Sequence, residues 1–452
     1  MSNANAYLFT NETIQNPPVK FLDKLKYLGP GFIVTASIVG SGELIATTTL
    51  GAKAGYLAFW VIIVSCLIKV ALQLEFGKHA IITGHTPMFE INALNGMQIK
   101  GKSWLVWLIG GLQFLKIIQL GGMLGSTALV LNMIFPSISP YFMAIFTAVL
   151  VAVLIYRNQY KIIEKGSLLM TFFFTLFTAM SLIMVMYTPY AITAADIQSG
   201  FRFDVNNDLL LIAVGVFGIT GVAADEILAY YYWCLEKGYA SFAGLGDDSE
   251  AWKSRVKGWM KIMYLDAFIA MVIYTSTTAA FYLLGAAVLH SQNLVPESNQ
   301  LIETISKIYT DTLGQNVKYI YLIGAFFVLF SSVFTTLAYN TRVFTDLGAT
   351  LNLINLSKPG TKDKSIRFFA VAFPVLWCAM YFFINSPLLM IISGGIVGSV
   401  MLFVVAYIGI LFRMSRSSNI GNSKAFDLWL GLSVVSIMAL GLYGVYINVS
   451  SM

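Results

Sequence analysis

Long apolar stretches follow one another along almost the whole chain, separated by short polar connections. Eleven of them approach the ~20 residues that a helix needs to cross a bilayer: Leu28–Ala54, Tyr56–Phe76, Ser103–Phe135, Tyr141–Tyr156, Ser167–Tyr187, Leu209–Cys234, Trp259–Leu289, Val317–Leu337, Phe368–Asn385, Leu388–Phe412 and Leu428–Ile447. Runs of this length predict helices rather than strands. The expected fold class is an all-α integral membrane protein of eleven transmembrane helices.

Two of these runs are interrupted in the same way. Val39-Gly40-Ser41-Gly42-Glu43-Leu44-Ile45-Ala46 returns as Val222-Ala223-Ala224-Asp225-Glu226-Ile227-Leu228-Ala229. Each places small residues and then a glutamate at mid-membrane, where a carboxylate is costly and marks a functional site by default. Small residues before it predict a broken helix, tolerated only where the backbone lines a cavity or is buried in protein. The copies fall in the first and sixth spans, an offset of five. Five is odd, so two five-helix repeats would lie in opposite orientations, the arrangement of many secondary transporters. Residues 28–412 are therefore expected to form a core of two inverted repeats. Residues 1–27 form a cytoplasmic N-terminal segment, and 413–452 carry the eleventh helix and an extracytoplasmic C-terminus.

Composition narrows the class. The chain has 452 residues, 58% hydrophobic and 11% charged, where a soluble domain carries about a quarter charged residues. The polar N-terminus has no apolar segment of the kind that a cleaved signal peptide needs. Cys66, Cys234 and Cys378 lie in or beside apolar spans and form no C-x-x-C pair, which argues against a disulfide framework or a thiolate metal site. The net charge of +6 is explained by topology rather than by nucleic acid. With the N-terminus inside, 22 of the 28 basic residues fall in cytoplasmic segments and four on the other side, as the positive-inside rule requires. A multi-pass cell-membrane protein, acting as a monomer within the lipid bilayer, is expected.

Leu28-Gly29-Pro30-Gly31-Phe32-Ile33, followed by Gly51-Ala52-Lys53-Ala54-Gly55-Tyr56 and Trp60, resembles the first two helices of the natural resistance-associated macrophage protein (Nramp) family. The resemblance runs without gaps from Gly29 to Tyr56 and continues through Gln73 to Thr83-Gly84. It implies a LeuT-type inverted-repeat fold with helices one and six broken, a divalent metal ion as substrate and no resident cofactor. The departures lie at the site. The family's metal-binding Asp-Pro-Gly-Asn aligns with Gly40-Ser41-Gly42-Glu43, so its aspartate has become Gly40 and its asparagine Glu43. Its Met-Pro-His-Asn aligns with Val222-Ala223-Ala224-Asp225, which removes the thioether and a histidine, and the second histidine falls at about Ala229. The acids of its proton route align with Lys116 and Gln119. This chain resembles a divergent clade.

Glu43 and Glu226 are the candidate metal ligands, with Asp225, Gly40, Ser41 and Ala223 as further substrate contacts through side chain or freed carbonyl. An all-oxygen set suits hard ions such as Mg²⁺ or Mn²⁺, whereas a thioether would favour softer ones. The alternative is that each glutamate caps a half-helix or satisfies the broken backbone. Asp225 is as readily a cap as a ligand. Gln113, Lys116 and Gln119 share one helix face; Lys116 has either a coupling role or a structural ion pair with Glu43 or Glu226. Lys69 is expected to snorkel or to pair with Glu75. His79, His85 and His290 sit at span ends or loops, so a histidine proton relay is unsupported and proton coupling is doubtful. Tyr230-Tyr231-Tyr232-Trp233 has two readings, a gate on the pathway or an interface belt, and the belt is the expected one because aromatics cluster near span ends. Asp247 to Lys261 is expected in a solvated cytoplasmic loop. Without a P-loop or an intramembrane nucleophile–base pair, neither ATP-driven transport nor an enzyme is expected. Two rivals stay open. Gly40-Ser41-Gly42 also resembles the Gly-Ser-Gly of amino-acid/polyamine transporters, and a non-transporting receptor-like relative would keep the fold alone.

Overall fold

The protein is described here by a computed structural model covering residues 11–40, 42–203, 216–218, 220–295, 303–304, 318–416, 420–421 and 423–450. The helices used below are α1 (Pro30–Ile38), α2 (Thr48–Ala54), α3 (Phe59–Thr83), α4 (Pro87–Ala93), α5 (Trp104–Leu115), α6 (Ile117–Ile134) and α7 (Pro140–Tyr156). They continue with α8 (Tyr160–Val185), α9 (Ala224–Lys237), α10 (Glu250–Leu284), α11 (Lys318–Thr350), α12 (Thr361–Ile384), α13 (Pro387–Ser415) and α14 (Lys424–Ser450). Among the described residues, seven helices are long and apolar enough to cross a membrane. An eighth candidate is the bent pair Pro30–Ile38 and Glu43–Ala54, whose axes differ by 46°. The all-α, multi-span expectation holds, apart from a two-residue hairpin in a connection that pairs Gln98 with Ser103. Positions 209–215 of the sixth expected span lie outside the described residues.

The side chains are sorted for lipid rather than water. On α8, Phe172 and Ile183 are about 60% exposed, while Ser167, Thr171, Thr178 and Ser181 are buried. The hydroxyls of Ser167 and Thr171 have no partner among the described residues, but the other two are satisfied within the helix: Thr178 donates to Phe174 O at 2.7 Å and Ser181 to Phe177 O at 2.8 Å. This is how a bundle solvated by hydrocarbon keeps its polar groups.

Several helix ends lie where hydropathy did not put them. α10 starts at Glu250, capped by the Ser249 hydroxyl that accepts from Trp252 N at 3.1 Å. All but the first three residues of the expected loop from Asp247 to Lys261 are thus helix, since a capped, amphipathic turn stays helical after it leaves the apolar layer. Tyr230, Tyr231, Tyr232 and Trp233 are almost fully buried, which corrects the interface-belt expectation. Their hydroxyls find partners inside the bundle: Tyr230 on Asp266 at 3.2 Å, Tyr231 with Thr83 at 3.1 Å and Tyr232 on Asp346 at 2.7 Å.

The first span is held at both halves. Pro30 opens α1, where its missing N–H costs nothing. The Asp266 carboxylate of α10 accepts from Gly29 N at 2.8 Å and from Gly31 N at 2.6 Å, neutralising the free amides of that end. Beyond the break, α2 lies directly against the π-turn Gly285–His290 that extends α10. A Cβ on Gly51 would stand 2.3 Å from Tyr282 O, and one on Gly285 would stand 2.4 Å from Thr48 O. Both obstacles are backbone, so neither can swing away. Gly285→Leu is expected to separate the two backbones and cost about 1–3 kcal/mol, read as a lowered Tm in detergent. An unchanged Tm would mean that this contact is not tight.

Candidate substrate site at the helix breaks

Glu43 sits in the π-turn Gly42–Thr47 that follows the first break, and it is completely buried. One carboxylate oxygen accepts from Gly221 N at 2.6 Å and the other from the Thr47 hydroxyl at 2.7 Å. Gly221 has φ +67, a conformation that glycine adopts without strain. It lies between the helical residues 216–218 and the start of α9, within the second break. Glu43 therefore crosses from one broken helix to hold the turn of the other.

Lys69 of α3 approaches the same turn. It is completely buried, and its Nζ donates to the carbonyl oxygens of Phe217 and Thr220. This corrects both expectations for Lys69, which neither snorkels nor meets Glu75. Side chains six apart on a helix are not neighbours; pairs three or four apart are. Glu75 instead pairs with Lys78, three residues on, at 3.0 Å, and with Arg416.

Glu226 lies in the first turn of α9. Its Oε1 accepts from the Ser37 hydroxyl of α1 at 2.9 Å, while its Oε2 is buried with no hydrogen-bond partner among the described residues. Asp225 pairs with Lys116 through Oδ2, and its Oδ1 also has no partner among them. The carboxylate that Lys116 meets is thus Asp225, rather than Glu43 or Glu226. Lys116 stands at the junction of α5 and α6, and its ammonium reaches the first turn of α9. Along the same face, Gln113 donates to Asn340 of α11 at 2.8 Å. The side-chain oxygens of Gln113, Gln119 and Tyr339 are buried without partners among the described residues.

The two glutamates stand in different states. Glu43 has both oxygens engaged; Glu226 has one engaged and one open. Lys69 feels the field of both. Neither expected backbone ligand is wholly free: Gly40 O accepts from Leu44 N at 2.9 Å, and Ala223 O accepts from Ile227 N at 3.0 Å. A carbonyl keeps a second lone pair, so each can still take a further contact. Gly40 also lets α11 come close, since a Cβ there would fall on Ser332. Ser41 lies outside the described residues. No group of three or more His, Cys, Asp or Glu side chains among the described residues is placed to hold a metal. A metal ion at these breaks would need amide, hydroxyl or carbonyl oxygens beside its carboxylates. Ionised, the carboxylates of Glu43, Asp225 and Glu226 exceed the ammoniums of Lys69 and Lys116 by one charge. A surplus buried carboxylate is costly until a cation or proton joins it.

Sequence reasoning missed Ser37, Tyr339 and Asn340. The last two fall just beyond Leu337, where hydropathy ended the eighth span although α11 continues to Thr350. It also missed a polar closure at one end of the bundle. There Arg342 binds Glu236 at 3.0 Å and Asn158 at 3.0 Å, Asn158 binds Asp363 at 2.8 Å, and Asp346 holds Thr86 at 2.7 Å. These groups tie α4, α9, α11 and α12 together through side-chain hydrogen bonds and ion pairs.

Residues 31–449 match the family model described as natural resistance-associated macrophage protein-like, Nramp. A divalent metal cation transporter MntH of Caldanaerobacter subterraneus is 26% identical over 299 residues. That match spans 64% of this chain and 64% of the relative's own length, just under two thirds. Among solved structures, the Eremococcus coleocola manganese transporter in complex with an aromatic bis-isothiourea substituted compound superposes with a TM-score of 0.71 at 17% identity, covering 96% of this chain and 89% of that one. Mhp1, a nucleobase-cation-symport-1 family transporter in a closed conformation, superposes with a TM-score of 0.60 at 10% identity over 96% of both chains. At these identities the two structures establish a shared LeuT-type fold.

Proposed function

Because the chain belongs to the Nramp family, we propose that it is a secondary transporter that carries a divalent metal cation across the membrane by alternating access. In this reading eleven spans comprise two inverted five-helix repeats plus one helix, with spans one and six broken. The charge bias puts the N-terminus in the cytoplasm and the C-terminus outside. The observation that carries the proposal is the open Oε2 of Glu226, buried beside Asp225 in a cluster with one surplus negative charge. Glu226 is the principal ligand, and Asp225, Gln119 and the carbonyls of Gly40 and Ala223 complete an oxygen set as the site rearranges. Glu43 contributes charge from the turn that it holds. The names of the MntH relative and of the Eremococcus coleocola protein support a divalent metal, manganese among them.

The donors are hard, so Mg²⁺ and Mn²⁺ are favoured over Cd²⁺. Val222, buried where the family has its methionine, has no sulfur to offer. Competition among the three ions in a proteoliposome flux assay tests this. Cd²⁺ is expected to compete poorly in the wild type and better in Val222→Met. Strong Cd²⁺ competition that Val222→Met leaves unchanged would refute the oxygen-only site. Lys116 and Gln119 stand where the family's proton route has acids, so weak proton coupling or none is expected. Uptake of an amino acid or organic amine in place of every metal would replace the metal reading itself.

A further inference from the structure

The metal reading leaves Lys69 without a part, yet its surroundings are specific. The Nζ donates to two carbonyl oxygens, Phe217 O and Thr220 O. The Ser65 hydroxyl, one turn earlier on α3, reaches the same oxygens at 3.4 Å and 3.1 Å. The Phe217 ring centroid lies 4.7 Å from Nζ. The Glu43 carboxylate is within electrostatic reach and is bonded to the next amide, Gly221 N. The ammonium rests on two carbonyl oxygens, with a hydroxyl on the same two oxygens and a carboxylate in the vicinity, and oxygens of these kinds are the hard donors that a small alkali cation takes.

We propose that the Lys69 ammonium is a tethered cation filling an alkali-ion site at the break of the sixth span, so that the break is held without bound Na⁺ or K⁺. Three physical points support it. Residues 216–218 are helical and Thr220 and Gly221 are not, and the last carbonyls of a helix lack intrahelical partners and carry its negative end. A cation is the natural partner there. On the other side of the same turn, Gly221 N is bound by Glu43, so a positive and a negative side chain grip one turn from two helices. Finally, a buried ammonium costs several kcal/mol to desolvate, and an apolar side chain would avoid that cost unless the charge were needed. Removing the side chain therefore leaves a cavity lined by oxygens that a free ion can enter. The inference holds whichever substrate is carried.

The test is thermal unfolding of the purified full chain in choline, lithium, sodium and potassium chloride at equal ionic strength. Wild type is expected to have one Tm in all four salts. Lys69→Ala is expected to fall by several degrees in choline and to recover, with increasing salt, in one of the small alkali ions. Lys69→Met fills the same space without charge and is expected to stay low in every salt. The proposal is overturned if the wild-type Tm rises with an alkali ion, or if Lys69→Met is as stable as wild type. It is also overturned if Lys69→Ala ignores all the ions or recovers equally in choline. Should Lys69→Ala give no folded protein in choline, it is expressed and extracted in each alkali salt. Failure in all of them also overturns the proposal, because the ammonium would then do something that no ion replaces.

Discussion

Glu226→Gln is expected to abolish saturable metal uptake, to below about one hundredth of the wild-type rate, while the yield of folded protein stays close to wild type. A hundredfold loss corresponds to about 2.7 kcal/mol of lost interaction with the ion. That is modest for one carboxylate–metal contact in a site with little water. The fold should tolerate the change because Glu226 does little for it. Among the described residues only Oε1 has a partner, the Ser37 hydroxyl at 2.9 Å, and a glutamine carbonyl accepts that bond equally well. The change also removes the surplus negative charge, which eases the repulsion with neighbouring Asp225. The two readouts are flux in proteoliposomes and Tm in detergent. Retained uptake with a normal Tm would take Glu226 out of the site.

Glu43→Gln is expected to behave in the opposite sense, with a lowered Tm as the primary effect and lost flux as its consequence. Both oxygens of Glu43 are engaged, one on Gly221 N at 2.6 Å and one on Thr47 at 2.7 Å. A glutamine keeps that geometry, with its carbonyl toward Gly221 and its amide toward the hydroxyl. It loses the charge that strengthens both bonds and that offsets Lys69. Hydrogen bonds to a charged group contribute about 1.5–3 kcal/mol, so a loss of that order is expected. Combined with Lys69→Met it should cost less than the sum of the two single changes, since the two buried charges offset each other. A normal Tm with abolished flux would instead make Glu43 a ligand of the same kind as Glu226.

The sequence made the two glutamates visible because carboxylates are rare in apolar spans and because they recur at a five-span offset. It did not separate their roles. Which carboxylate is spent on the fold depends on whether an amide such as Gly221 N happens to face it, and that follows from the turn geometry of another helix. Lys69 and Lys116 were visible as charges, but their partners were not, for the same reason. The Phe217 and Thr220 carbonyls belong to the backbone and leave no mark in a pattern of side chains. Hydropathy located the apolar helices among the described residues and misplaced their ends, as at Glu250 and Thr350, because it reports the solvent around a helix and not where its hydrogen bonds stop. The buried Tyr230 to Trp233 run misled for a related reason. Aromatic rings with polar tips suit a membrane interface, and they suit a packed bundle equally well when acids such as Asp266 and Asp346 await them.

The central claim is that Glu226 provides the binding site for a divalent cation. Its most direct test is calorimetric titration of Mn²⁺ and Mg²⁺ into the purified protein, beside Glu226→Gln at the same concentration. The account predicts saturable binding of at least one of these ions to a single site in the wild type, with no measurable heat of binding in the variant. Binding that persists in Glu226→Gln, or a wild type of normal Tm that binds neither ion, would contradict it.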